Sequence, residues 1–137
     1  MYNLLLISHG SLAEEFLNTT EMIMGTQDNI TTLGLKPEEG KEDFEKTILE
    51  TCERIYNSDG ILVLADLYGG TPCNSAILKL LTKYDRVQIV AGLNLAMLIQ
   101  AIIYRNESVE NVVMKLKQDS IEAINIINKE SFNSNED

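Results

Sequence analysis

The sequence predicts an α/β fold: a doubly wound, mainly parallel sheet of strand order 2-1-3-4, helices on both faces, and an antiparallel strand possible at one edge. Three observations predict it. Short apolar runs recur as "NLLLIS", "GILVLAD" and "RVQIVA". A stretch with helical spacing follows each of them. Breaks containing glycine separate the two kinds of segment, and strands alternating with helices in this way form parallel sheets covered on both sides.

Asn3 to Ser8 is apolar, ends at a His-Gly break and reads as a buried strand. Ser11 then opens "LAEEFLNTTEMIMG", with apolar residues at 12, 13, 16, 17, 22, 23 and 24. Glu14 stands three residues after Ser11, the spacing of a capping box, and Gly25 offers a stop. Asn29 to Leu35 alternates weakly, as an edge strand would. Lys41 to Tyr56 carries an apolar stripe at 44, 48, 49, 52, 55 and 56 beneath a charged face. Gly60 to Asp66 is the clearest strand, "LYGGTP" a loop, and Cys73 to Tyr84 a helix. Arg86 to Ala91 is the fourth strand and Gly92 breaks it. Asn94 is placed to cap a helix over 95–105, and Ser108 opens another that the apolar spacing carries to about Asn128. One domain over 1–128 is expected, with 129–137 an acidic, polar, frayed tail.

Composition narrows the functional classes. The 137 residues carry a formal charge of −10, which disfavours nucleic acid and anionic lipid and favours partners with positive or apolar surfaces. No run approaches the roughly 20 apolar residues of a membrane span. No lysine or arginine precedes Lys36, so the charged start of a signal peptide is missing, and a cytoplasmic location is expected. Cys52 and Cys73 lie 21 apart with a single histidine in the chain, which gives no metal-ligand set. They read as free thiols in or near the core.

In a sheet of order 2-1-3-4, successive crossovers leave strands 1 and 3 in opposite directions, and ligands bind in the crevice beyond their carboxyl ends. The residues there are His9-Gly10-Ser11 and Asp66 to Thr71. Thr71 stands where a helix N-cap belongs, with Pro72 at the first helical position; Gly69 and Gly70 leave room for a ligand to approach the main chain. Such a helix start suits an anion, although the Gly-Lys-Ser/Thr element of a Walker loop is absent. Asp66 can accept Nδ1–H from His9, leaving the Nε2 lone pair free, so that His9 reads as a nucleophile, suited to attack on phosphorus, or as a base. Phosphoryl oxygens would rest on the two helix starts and on the hydroxyls of Ser11 and Thr71. Neither loop holds a lysine or arginine, and no second carboxylate makes a magnesium site.

At these residues the sequence resembles a family. "LLLISHGSLAEEFLNTTEMIMG", "ILVLADLYGGTPCNSA" and "VAGLNLAMLIQA" are similar to the three signature regions of enzyme IIA of the mannose family (mannose, fructose and sorbose type) of the bacterial phosphoenolpyruvate-dependent sugar phosphotransferase system. The similarity runs from about residue 2 to residue 128. It implies that His9 is the phosphorylated histidine, Asp66 its carboxylate partner, and Thr71 the hydroxyl that holds the phosphoryl group; Ser11, Gly10 and Gly70 are expected at the phosphoryl site from their places in the two loops. It implies a phosphotransferase without cofactor or metal. The donor would be the histidine-containing phosphocarrier protein and the acceptor a IIB component, which serves a membrane IIC/IID complex. The chain leaves no room for a fused IIB domain, so that partner is expected as a separate polypeptide. Family members are homodimers that exchange an antiparallel edge strand. In the third region Ala96 stands where the family usually has proline; in the first turn of a helix either is tolerated. Asn94 and Met97 match there and read as cap and core residue.

Other classes use the same crevice. A flavodoxin-like module for FMN or a phosphorylated ligand needs the anion-binding helix start but no histidine, and Tyr68 would be its one stacking ring. A hydrolase would use Ser11 or Cys73 with His9 and Asp66, but the G-x-S-x-G elbow is missing. The phosphotransferase domain that serves dihydroxyacetone phosphorylation shares fold and histidine and differs in its acceptor.

Overall fold

The computed structural model describes residues 1–134. Four strands, β1 (Asn3–His9), β2 (Ile30–Leu35), β3 (Ile61–Ala65) and β4 (Val87–Ala91), form one sheet of order β2-β1-β3-β4, parallel throughout. Six helices accompany them: α1 (Leu12–Met24), α2 (Lys41–Ile55), α3 (Thr71–Leu80), α4 (Leu95–Ile103), α5 (Val109–Glu122) and α6 (Lys129–Ser134). Among the described residues no antiparallel strand is present, so β2 and β4 are the two sheet edges.

Alternation along the central strands divides the core. Leu4, Leu6, Leu62 and Leu64 face α1, α4 and α5, where they meet Ala13, Leu98 and Val112. Leu5, Ile7, Ile61, Val63 and Ala65 face the opposite way, onto Phe44, Ile48 and Cys52 of α2 and Cys73, Ala76 and Leu80 of α3. Both faces of β1 and β3 are thus buried, which is why these strands read as continuous apolar runs. Each fully buried leucine or isoleucine stabilises the fold by about 1.5–3 kcal/mol relative to exposure.

Polar anchors tie the amino-terminal end of the sheet. Asn3 donates from Nδ2 to the Ile55 carbonyl (2.8 Å). Buried Arg105 donates to the carbonyls of Tyr2 (3.1 Å) and Asn29 (3.0 Å), bridging the starts of β1 and β2. Burial lowers the Arg105 pKa from its ordinary value.

Local signals and structure part in several places. Ser11 adopts φ −91°, ψ 10° and its side chain caps nothing, so the Ser11–Glu14 capping box does not form. The hydroxyl of Ser8 takes the duty, accepting from the Ala13 N–H at 2.8 Å. On α3 the N-cap is Gly70, and Thr71, expected as the cap, is the first helical residue. That helix ends at Leu80 rather than Tyr84. Asn94 does cap α4, accepting from the Met97 N–H at 2.8 Å. The helix expected to reach Asn128 stops at Glu122, and the residues that would continue its apolar stripe, Ile124 and Ile127, stay largely exposed. Residues 129–134 of the expected tail form α6; residues 135–137 lie outside the described residues.

Candidate functional site

The carboxyl ends of β1 and β3 lie side by side, with Ile7 paired to Ala65. His9 closes β1 and Asp66 follows β3, so the two side chains emerge together at the point where crossovers diverge. The Asp66 N–H completes the strand ladder by donating to the Ile7 carbonyl (3.1 Å). Its carboxylate turns toward His9: Oδ2 lies 2.9 Å from Nδ1 and accepts the His9 backbone N–H at 3.0 Å. One oxygen therefore fixes both the strand end and the ring.

An ionised carboxylate only accepts hydrogen bonds, so Nδ1 carries the hydrogen and Nε2 the lone pair. The His9 side chain is 48 % exposed while that of Asp66 is 10 % exposed. The imidazole is thus about half open to solvent while its carboxylate partner is largely covered. Asp66 Oδ1 is buried and has no hydrogen-bond partner among the described residues.

The ring lies against Gly70. A β carbon on Gly70 would stand 2.7 Å from His9 Cε1 and 3.3 Å from Nε2, so a side chain there is incompatible with this ring position. Beyond it α3 begins. The Asn74 N–H is the first to bond back along the helix, to the Gly70 carbonyl at 2.9 Å, and the Thr71 and Cys73 N–H groups precede it. Pro72 has no N–H. A helix end of this kind carries the partial positive charge of its unpaired donors. Thr71 is half-buried, and Ser11 and Gly10 are exposed. His9, Asp66 and Gly70 are thus brought together; Gly10 follows His9 and lines a cleft with Ser11, and Thr71 follows Gly70 as the first residue of α3.

Cys73 stands apart from it chemically. The side chain is buried, and burial pushes its thiol pKa up, against a hydrogen bond from the Gly69 backbone. That is the wrong direction for a thiolate nucleophile.

Three residues that the two-loop reading left out also belong here. Lys36, following β2, lines a 360 Å³ cleft together with Gly10, Ser11 and Glu14, and brings a cation to this end of the sheet. Gly34 lies under the Gly10 carbonyl, and Ser8 is the hydroxyl already noted at the start of α1. A glycine inside an edge strand is a sequence signal of close backbone approach, and it was present in "ITTLGL". Around the crevice Leu67 and Tyr68 are exposed, Tyr68 at 81 %. Tyr68 also lines a 540 Å³ apolar groove along β4, together with Ile89, Val90, Met97, Val113 and Ile121.

No described helix is long and apolar enough to cross a membrane. Among the described residues no cluster of three or more His, Cys, Asp or Glu could hold a metal ion.

Comparison with known proteins converges on one group. Residues 3–117 match the family model EIIA-man, described as PTS system fructose IIA component. A sorbose-specific EIIA component of Lacticaseibacillus casei is 31 % identical over 120 residues, which is 85 % of this chain and 86 % of that protein. The mannose-specific EIIAB component of Escherichia coli K12 is 29 % identical over 100 residues. The match covers 73 % of this chain but only 31 % of that protein, so the chain spans about a third of the length of this relative. Among solved structures, the mannose/sorbose specific IIA subunit of the phosphotransferase system from Enterococcus faecalis superposes with a TM-score of 0.85. It is 37 % identical, with 93 % of this chain and 95 % of that chain covered.

Proposed function

The chain belongs to the EIIA-man family, as a sugar-specific IIA component of the mannose type, and from that premise we propose that His9 is its phosphoryl acceptor. The donor is the histidine-containing phosphocarrier protein. The acceptor in turn is a IIB component, which phosphorylates sugar delivered by a membrane IIC/IID complex. The work is cytoplasmic and needs no cofactor.

The observation that carries this reading is the single Asp66 oxygen that holds both the backbone and Nδ1 of His9, on a side chain about half open to solvent. In the forward step the Nε2 lone pair attacks phosphorus of the donor's phosphohistidine. A new N–P bond forms as the donor's N–P bond breaks, and its electron pair returns to the donor's imidazole. No proton needs to move on His9, because Nδ1–H stays bonded to Asp66. The positive charge that grows on the ring is offset by the adjacent carboxylate. The phosphoryl oxygens are received by the Thr71 hydroxyl and the N–H groups at the head of α3, with Ser11, Gly10 and Gly70 lining the approach.

The family's homodimer is part of the same proposal. Its support is the open edge of β4 with the apolar groove alongside, and the exposed isoleucines 124, 126 and 127 that follow α5. Three exposed isoleucines after α5, the first of them lining the groove along β4, give a second chain an apolar surface to cover.

Mixing the protein with phosphoenolpyruvate, enzyme I and the phosphocarrier should place an acid-labile, base-stable phosphoryl label on it. The label should be absent from His9→Ala. Equal labelling of that variant, or no labelling of the parent chain, removes the proposal.

A further inference from the structure

Gly34 has no need of glycine on conformational grounds. It lies in β2, in register with Ser8, and its φ is outside the left-handed region. Its reason is space. A β carbon on Gly34 would stand 1.9 Å from the Gly10 carbonyl oxygen and 3.1 Å from the carbonyl carbon. Non-bonded heavy atoms are at their best about 3.5–4.0 Å apart, and both partners here are backbone, so neither can rotate away. An alanine would have to push the Gly10 peptide aside by roughly an ångström or more.

That peptide is coupled to His9 on both sides. Gly10, at φ +55°, bends the chain back over β2, and its N–H donates to the Leu35 carbonyl at 2.8 Å. Its carbonyl faces the buried Ser8 hydroxyl at 3.5 Å, and the same hydroxyl accepts the Ala13 N–H at the start of α1. One residue earlier, His9 is tied the other way, to Asp66 Oδ2 through both backbone and ring. His9 is therefore the link between an anchor on β2 and an anchor beyond β3. Displacing the β2 anchor changes the angle at which the imidazole meets its carboxylate.

We propose that Gly34, with the Ser8 hydroxyl, is a positioning residue for His9: the bare Cα of Gly34 lets the Gly10 peptide settle across β2, and this sets Nδ1 on Asp66 and aims Nε2 outward. The functional consequence rests on the phosphoryl-acceptor reading; the geometric claim does not.

The test uses Gly34→Ala, with Leu33→Ala as a control that weakens the same edge strand on its core side and leaves Gly10 untouched. Nitrogen-15 NMR of the His9 ring reads the tautomer across a pH titration without any phosphorylation. The parent and the control should hold Nδ1–H; Gly34→Ala should show mixed tautomers. In transfer from the phosphocarrier, Gly34→Ala should lose kcat by roughly ten- to a hundredfold, with KM nearly unchanged, as expected for an ångström-scale misplacement. A folded Gly34→Ala whose His9 signals match the parent overturns the proposal. Should Gly34→Ala not fold, Ser8→Ala carries the test: it must move the His9 signals in the same sense by a smaller amount, and unchanged signals overturn it. A parent chain that takes up no phosphoryl group would sink the functional reading alone, since the ring signals still decide the role of Gly34.

Discussion

At the scale of single residues, the site depends on what two glycines lack. Gly70 sits at the N-cap of α3 with φ −80° and ψ 165°, a conformation open to any residue, so alanine there meets no backbone penalty. It meets the imidazole instead. Gly70→Ala is expected to turn the ring off Asp66 and slow phosphoryl uptake by roughly tenfold or more, about 1.4 kcal/mol in the barrier. Its melting temperature should stay close to that of the parent, as stopped-time labelling and a thermal melt would show. His9 and Asp66 were legible in the sequence because each ends an apolar strand and their types have complementary chemistry. Lys36 was not, and the glycine in "ITTLGL" signalled a close backbone approach without saying to what. Their relevance comes from β2 lying beside β1, a contact between segments about 25 residues apart that no local pattern encodes.

At the scale of elements, the strands and helices were readable and the caps only partly so. Asn94 caps α4 as its spacing implied. The Ser11–Glu14 pattern did not deliver, because the chain leaves β1 through the Gly10 bend and brings the Ser8 hydroxyl to the Ala13 N–H first. A capping box requires extended backbone at its first residue, and the bend at Gly10 denies it. Asn94→Ala removes the cap of α4 and should lower stability by about 1 kcal/mol, read from denaturant midpoints. Phosphoryl uptake at temperatures where the variant is folded should be little changed. The overrun of α5 has a different cause. Ile124 and Ile127 continue the helical spacing, but a helix in a protein persists where its apolar face is covered. Past Glu122, Ile124 and Ile127 stay mostly exposed, so the apolar spacing runs on where the helix does not.

At the scale of the molecule, the doubly wound sheet of order 2-1-3-4 was legible because alternation of strands and helices leaves few topologies open. Whatever covers the β4 edge was not, since one sequence does not show which surface of a second chain it meets. The proposed dimer supplies a measurable answer. The full chain should sediment at the mass of two chains. Ile126 is 83 % exposed in the single chain, so Ile126→Asp should leave the protomer folded while driving the species toward the mass of one. A parent chain that sediments as a single protomer would remove the dimer and leave the His9 chemistry standing.

The double grip of Asp66 on His9 has a consequence for traffic. A histidine locked by its main chain and its ring has no arm to swing, unlike a carrier group on a long flexible tether. Whatever it carries is delivered at the spot where it was received. On the phosphoryl-acceptor reading, donor and recipient must therefore call at the same doorstep, one leaving before the other arrives. The surface around Leu67 and Tyr68 would have to welcome two different visitors with a single set of side chains, and each would keep the other out.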